Sequence, residues 1–201
     1  MSAKRRPVDH GAIARAAAAV ARGGIVCLPT ETTYGLAVSA SDRPALARLS
    51  ALKGRAPDSA FGLIAADAAA ARSLCRIWPE AAERLASHWP APLTLVVPAR
   101  DDLADEIVGP GGGVGVRVSP HPWAAALAEA VGGPITATSA NPSGRPPALS
   151  ADEARAYFGD RIDAYLDAGP SRSQQASTVI AIGADGSTSI LRRGAFEIDI
   201  A

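Results

Sequence analysis

The stretch GIVCLPTETTYGL, Gly24–Leu36, decides how this sequence is read. Its first part, Gly24–Pro29, is a short apolar run bounded by glycine and proline, which reads as a buried strand. A polar turn, PTETTYG, comes next and sets Thr30, Glu31, Thr32, Thr33 and Tyr34 at the strand's end. In open α/β sheets, ligands bind where strands end and loops converge. Ser, Thr and Asn also make turns for their own sake. One such segment therefore decides little until its neighbours are read.

Before the strand, Asp9 predicts the N-cap of a helix through Ala12–Ala21, and Gly23-Gly24 predict its stop. After the turn, Ser41 or Asp42 caps a second helix with Pro44 in its first turn and Leu46, Leu49 and Leu52 on one face. That helix delivers Lys53-Gly54-Arg55 at its C-terminal end. Phe61–Ala66 is strand-like, while Asp67–Ile77 and Pro79–Trp89 look helical. Leu93–Ala99 is the clearest strand. The glycine run Gly109–Gly115 reads as a mobile loop leading into a strand at Val114–Val118. His121–Val131 reads as helix, Pro134–Thr138 as strand and Ala151–Phe158 as helix. STVIAIG (177–183) and TSILRRG (188–194) close the chain as two strands joined by Ala184-Asp185-Gly186, a hairpin signal. Helices and strands alternate and then strands dominate, without internal repeat or long linker. The expected fold is a single α/β domain, a twisted mixed parallel/antiparallel sheet flanked by helices with a concave pocket at strand ends. We set this domain at residues 8–195, with short tails at 1–7 and 196–201.

Composition narrows the function classes. The 201 residues suit one sizeable core, and 48% apolar with 20% charged residues is ordinary for a globular chain. Twenty basic and twenty acidic side chains cancel, so no global charge draws the protein to nucleic acid or anionic lipid. Nearly all the basic residues are arginine; Lys4 and Lys53 are the lysines, and only Lys53 is interior to the chain. Cys27 and Cys75 form no C-x-x-C, and with His10, His88 and His121 they show no metal-ligand spacing, so no metal site is expected. MSAKRRPVDH precedes no apolar leader core, and no stretch nears the roughly 20 apolar residues of a membrane span. A soluble, cytoplasmic protein is expected.

Polar residues gather at other strand ends as well. PITA runs into Thr138-Ser139-Ala140-Asn141, and VGV into Arg117. Arg55, Arg117 and Arg192 with Lys53 suit a polyanionic ligand held beside a carboxylate, since guanidinium forks grip both groups bidentately. No Walker A motif occurs, and Gly111–Gly115 precedes a strand instead of a helix, unlike a phosphate loop. Ser139 lacks a G-x-S-x-G context, and His121 in HPW reads as a helix start. Glu31 and Asp101-Asp102 are readable as acid/base carboxylates, although solvation or capping explains the pair better. The residues alone describe an anion-binding α/β domain without naming its reaction.

Read in order, PTETTYGL (29–36), KGR (53–55), WPAPLT (89–94), VRVSPHP (116–122), TSANPSG (138–144), STV (177–179) and LRRG (191–194) resemble the threonylcarbamoyl-AMP synthases of the YrdC/TsaC family. The match is collinear from about Gly23 to Gly194. The resemblance implies a YrdC-like fold and the synthesis of L-threonylcarbamoyl-AMP and pyrophosphate from L-threonine, bicarbonate and ATP. That product serves threonylcarbamoyladenosine modification of tRNA beside the anticodon. It implies a threonine subsite of Thr32, Arg117 (on the carboxylate), Ala137 (through its backbone) and Ser177. Lys53, Arg55, Ser59, Ser139, Asn141 and Arg192 are implied on the ATP side, where Lys53 and Arg55 act as catalytic charge neutralisers. Mg²⁺ arrives with ATP. Other tRNA-threonylcarbamoylation proteins are implied as partners, with at most a weak tRNA contact and no membrane. Within PTETTYGL, Thr32 is the residue assigned to ligand; Glu31 and Tyr34 are assigned to shaping the loop.

Departures from the family pattern are few. Ala56 stands where a proline is common, with Pro57 next; Ala91 replaces a glycine; and SAFGLI (59–64) puts Ile64 at a histidine position. These, with the chain's length, resemble the short single-domain bacterial type. Two rival readings are a non-catalytic RNA-binding module of the same fold and a carbamoyl-adenylate-forming domain like that of hydrogenase maturation proteins. Neutral charge and few aromatics speak against the first. The absence of zinc-finger-like cysteines speaks against the second.

Overall fold

Asp9 does cap the first helix: its carboxylate accepts from the Ala12 N–H at 3.0 Å, and α1 runs His10–Ala21. The computed structural model describes residues 6–56, 59–171, 173 and 175–199; Lys4 and Pro57 of the motifs and tails lie outside the described residues. β1 (Val26–Pro29) is buried along its whole length, as its unbroken apolar run requires. The chain then turns back at once into β2 (Tyr34–Ala37), pairing Val26 with Ala37 and Pro29 with Tyr34. The polar turn is thus the tip of a hairpin, and its last two residues already belong to a strand. α2 (Arg43–Lys53) begins at Asp42, whose side chain accepts from the Ala45 N–H at 2.9 Å. It ends on Gly54 in the left-handed region (φ 59°), a conformation that costs glycine nothing and that reverses the chain to aim Arg55 back at the sheet.

β3 (Leu63–Ala65) is succeeded by α3 (Ala68–Arg72), shorter than the helix expected over Asp67–Ile77. The helix stops because the chain is drawn onto the sheet's edge: Cys75 bridges Ala99, and the Arg76 N–H donates to Pro98 at 3.0 Å. Next come α4 (Glu80–Ala86), β4 (Leu93–Pro98) and β5 (Gly113–Val118). The glycine run before β5 is a hydrogen-bonded turn that passes into the strand. The Gly112 N–H donates to Gly109 and the Gly109 N–H to Gly113, both at 2.8 Å, and Gly113–Gly115 already lie in the strand. α5 (Pro122–Val131) leads to β6 (Ile135–Thr136) and β7 (Thr138–Ser139). α6 (Ala151–Phe158), β8 (Ala164–Tyr165), β9 (Thr178–Ile182) and β10 (Thr188–Arg192) complete the described α-helices and strands. β8 has no counterpart in the sequence reading.

The strands form two mixed sheets where one was expected. Among the described residues the smaller runs β7-β2-β1-β8 and the larger β10-β9-β4-β5-β3-β6. The segment expected as one strand over Pro134–Thr138 is the place where they part. Ile135 and Thr136 pair with β3, while Thr138 and Ser139 pair with β2, so the chain changes sheets at Ala137. Thr136 sews the join: its hydroxyl donates to Leu36 and accepts from the Val38 N–H, each at 3.1 Å.

Two clusters make the core. α1 and α5 pack Ile13, Val20, Trp123 and Leu127 onto Val26, Leu28 and Ile64. The opposite side of β1, with Cys27, joins Tyr34, Leu36, Leu46, Phe61, Leu93 and Leu95 under the remaining helices. Each large side chain so buried contributes roughly 1.5–3 kcal/mol. The ends of the described chain are tied in as well. Arg6 pairs with Asp167, and Phe196 and Ile198 pack on the core.

Candidate active site

Where the two sheets part, the strand ends leave a cleft of about 1300 Å³. Its first wall is the turn before β2. The Thr30 hydroxyl donates to the Thr33 carbonyl at 2.6 Å and accepts from the Thr32 N–H at 3.2 Å, and the Thr30 and Thr32 hydroxyls stand 3.0 Å apart. Threonines suit this place because a hydroxyl satisfies turn N–H and C=O groups that no ladder can reach. Tyr34 anchors the turn from behind, donating its hydroxyl to Gly169 at 2.7 Å.

The opposite wall comes from β4, β5 and β9. Arg117 lies between Val116 and Val118 on β5, and strand alternation turns its side chain to the cleft while that of Val116 enters the core. Its Nε donates to Glu31 at 2.7 Å, both side chains being less than a tenth exposed. Ser119, two residues on, donates its hydroxyl to the other Glu31 oxygen. Nη1 and Nη2 of Arg117 have no hydrogen-bond partner among the described residues. Burial alone would push the Glu31 carboxyl up, but the Arg117 charge and the Ser119 hydroxyl together hold it below the usual carboxylate range. Beside this pair, Arg192 donates from Nε to the Ser177 carbonyl at 2.9 Å and from Nη2 to its hydroxyl at 3.1 Å. The Ser177 hydroxyl also lies 2.9 Å from that of Thr94.

A third group sits between α2 and β7. Arg55 donates to the carbonyls of Ser59 (2.5 Å) and Ala60 (2.6 Å) and to the Thr138 hydroxyl (3.1 Å), with its guanidinium 4.5 Å over the Phe61 ring. Burial lowers the affinity of both Arg55 and Arg192 for their protons, and the Arg117 charge adds to this at Arg192. Three guanidiniums thus surround a cleft with Glu31 as their buried counter-ion, an arrangement that favours anions.

Of the ten residues the sequence singled out, eight line this cleft: Thr32, Arg117, Ala137 and Ser177 with Arg55, Ser59, Ser139 and Arg192. Lys53 and Asn141 do not. Lys53 is buried behind the cleft wall, where Nζ donates to the carbonyls of Ser139 (2.5 Å) and Asn141 (2.7 Å). Asn141 in turn donates from Nδ2 to the carbonyls of Pro142 (2.9 Å) and Arg145 (2.7 Å). The physical reason is the helix: α2 directs its last residue into the protein, and only the reversal at Gly54 brings Arg55 out. Glu31, expected to shape its loop, is instead the ion-pair partner of Arg117. Thr94, Ser119 and Thr138 stood in the quoted motifs without a role assigned to them. The spacing of Arg117 and Ser119, two apart on a strand and its extension, is the signal that places both on one face.

Comparison with known proteins shows the family. The Sua5/YciO/YrdC family model, described as "Telomere recombination", matches residues 18–194. A threonylcarbamoyl-AMP synthase of Halorhodospira halophila is 44% identical over 155 residues, 77% of this chain and 81% of that one. The chain belongs to the Sua5/YciO/YrdC family. A second relative from the family, a putative threonylcarbamoyl-AMP synthase of Mycobacterium tuberculosis, is 37% identical over 84% of this chain and 77% of its own length. Among solved structures, P. abyssi Sua5 complexed with L-threonine superposes with a TM-score of 0.88 at 36% identity. That alignment covers 95% of this chain and 56% of the Sua5 chain, so this chain spans little more than half of that protein. E. coli YciO shares the fold, with a TM-score of 0.84 at 23% identity and 98% coverage of both chains.

Proposed function

We propose that this protein is an L-threonylcarbamoyladenylate synthase, forming L-threonylcarbamoyl-AMP and pyrophosphate from L-threonine, bicarbonate and ATP. The observation that carries the reading is Arg117, fixed through Nε and offering two further donors to the cleft. In this reading the threonine carboxylate takes those donors, with Thr32, Ser177 and the Ala137 backbone around the rest of the amino acid. ATP lies along Arg55, Ser59, Ser139 and Arg192. Lys53 and Asn141 serve it from behind, by fixing the Ser139–Arg145 segment.

In this reading the chemistry runs in two steps. The threonine nitrogen attacks the carbon of bicarbonate, forming a carbamate and releasing water. A carbamate oxygen then attacks the α-phosphorus of ATP, forming the new P–O bond as the bond to pyrophosphate breaks. In-line displacement of this kind needs alignment and charge neutralisation more than a protein nucleophile. Arg55 and Arg192 supply positive charge near the leaving phosphates, and Mg²⁺ enters as part of the nucleotide substrate, carried by phosphate oxygens.

The product's use is tRNA threonylcarbamoylation beside the anticodon, carried out with further proteins of that modification. Among the described residues no helix is long and apolar enough to cross a membrane, and Cys27 and Cys75 are free thiols, in keeping with work in a reducing cytoplasm. The RNA-binding alternative finds little support in the cleft, whose aromatic lining residues, Tyr34 and Phe61, are buried and offer no stacking face. The deciding experiment is pyrophosphate release by purified protein. Release is expected only when ATP, threonine and bicarbonate are all present; release that ignores threonine would overturn the proposal.

A further inference from the structure

We propose that Glu31 is a positioning residue for the amino-acid substrate: it clamps Arg117 so that the η edge of the guanidinium faces the incoming carboxylate, and it balances the Arg117 charge. This rests on the synthase reading. The Glu31 carboxylate accepts its hydrogen bond from Arg117 at Nε, at 2.7 Å, while its second oxygen is taken by the Ser119 hydroxyl. Ser119 is itself fixed, accepting from the His121 N–H at 3.1 Å. Both partners of the ion pair are buried, so neither wanders among solvent-exposed rotamers. A guanidinium is the group that can serve one carboxylate through Nε and another through Nη1 and Nη2; a lysine ammonium has no such second edge.

Charge counting gives the same assignment. Arg117 and Arg192 are close enough for the charge of one to disfavour that of the other. With Glu31 ionised, its charge offsets that of Arg117, so the one surplus positive charge of the three groups is left at Arg192 on the ATP side. Without Glu31, the buried Arg117 guanidinium keeps no counter-ion beside the exposed Arg192, and its Nε loses its acceptor. The pair also spans the cleft, since Glu31 stands in the β1–β2 turn of the smaller sheet and Arg117 on β5 of the larger. A purely structural ion pair would contribute little here, because desolvation of two buried charges largely cancels their attraction.

Glu31→Gln tests this, since it keeps size and removes charge. Steady-state pyrophosphate assays are expected to show the threonine KM raised about tenfold or more, the size of a lost hydrogen bond to a charged group, with the ATP KM nearly unchanged. In an Arg117→Ala background the same change is expected to add nothing, because Glu31 acts through Arg117. Glu31→Asp, which restores the charge, is expected to recover part of the threonine KM. An unchanged threonine KM in Glu31→Gln, equal rises for threonine and ATP, or full additivity with Arg117→Ala would each overturn the proposal. If Glu31→Gln does not fold, Ser119→Ala decides: a selective rise in threonine KM supports the clamp and no change overturns it. Wild-type protein that needs no threonine sinks the synthase reading itself, an outcome distinct from any of these.

Discussion

The residue whose placement departs furthest from a surface expectation is Lys53. Its ammonium is buried and satisfied by two carbonyls of the segment after β7, with no carboxylate beside it among the hydrogen bonds and ion pairs of the described residues. Burial and the neighbouring Arg55 charge lower its pKa from 10.5 to about 8. A lysine whose folded pKa is depressed binds its proton less tightly in the native state than in the unfolded one. Stability therefore rises with pH between about 8 and 10.5, and this contribution is lost as pH falls through 8. Replacing Lys53 with methionine leaves the two carbonyls without their donor, so Lys53→Met is expected to cost about 1–3 kcal/mol in urea unfolding. The variant is also expected to lack the rise in stability above pH 8; urea titrations of both proteins at about pH 7 and pH 10 check both statements. The sequence marked Lys53 as unusual through its rarity. That it faces the carbonyls of Ser139 and Asn141 depends on where α2 points, which no local pattern records.

At the scale of elements, the chain after β10 is fastened against the start of β9. The Thr178 hydroxyl donates to the Phe196 carbonyl at 2.6 Å and accepts from the Gly194 N–H at 3.0 Å. A Cβ on Gly194 would stand 2.2 Å from the Ala176 carbonyl oxygen and 2.5 Å from the Ser177 carbonyl carbon, which only backbone movement relieves. Ser177 lines the cleft and is gripped by Arg192, so this close approach holds a site residue. Gly194→Ala is expected to lower the thermal midpoint by several degrees, as about 1–3 kcal/mol of overpacking does. It is also expected to raise the threonine KM through displacement of Ser177; a thermal scan with pyrophosphate kinetics on the same preparation reads both. The LRRG motif was visible in the sequence, but the reason for its glycine was not, because the crowding atoms belong to Ala176 and Ser177. Other elements were plain from local chemistry: α1 and α2 begin where Asp9 and Asp42 cap them, and Leu93–Pro98 forms the strand its apolar run announces.

For the whole molecule, the cleft draws one wall from each sheet and has the Glu31–Arg117 pair across it. A ligand bound there contacts both halves of the core and binds the folded state alone. Threonine or ATP at about a hundred times its dissociation constant is expected to add about 2.7 kcal/mol of stability, seen as a rise in thermal midpoint with each ligand; no shift with either would show that the cleft takes neither. By itself the sequence determined the α/β class, most helices and strands, the collinear motifs that mark the family, and eight residues of the cleft. These come from local signals: caps, apolar periodicity, and polar residues at strand ends. Tertiary structure alone decided that the strands form two sheets, that PITATS changes sheet at Ala137, that Lys53 turns inward and that Glu31 pairs with Arg117. Each of these depends on residues distant in the chain, Glu31 and Arg117 being 86 apart, and backbone pairing across such distances is set by which faces can be buried together.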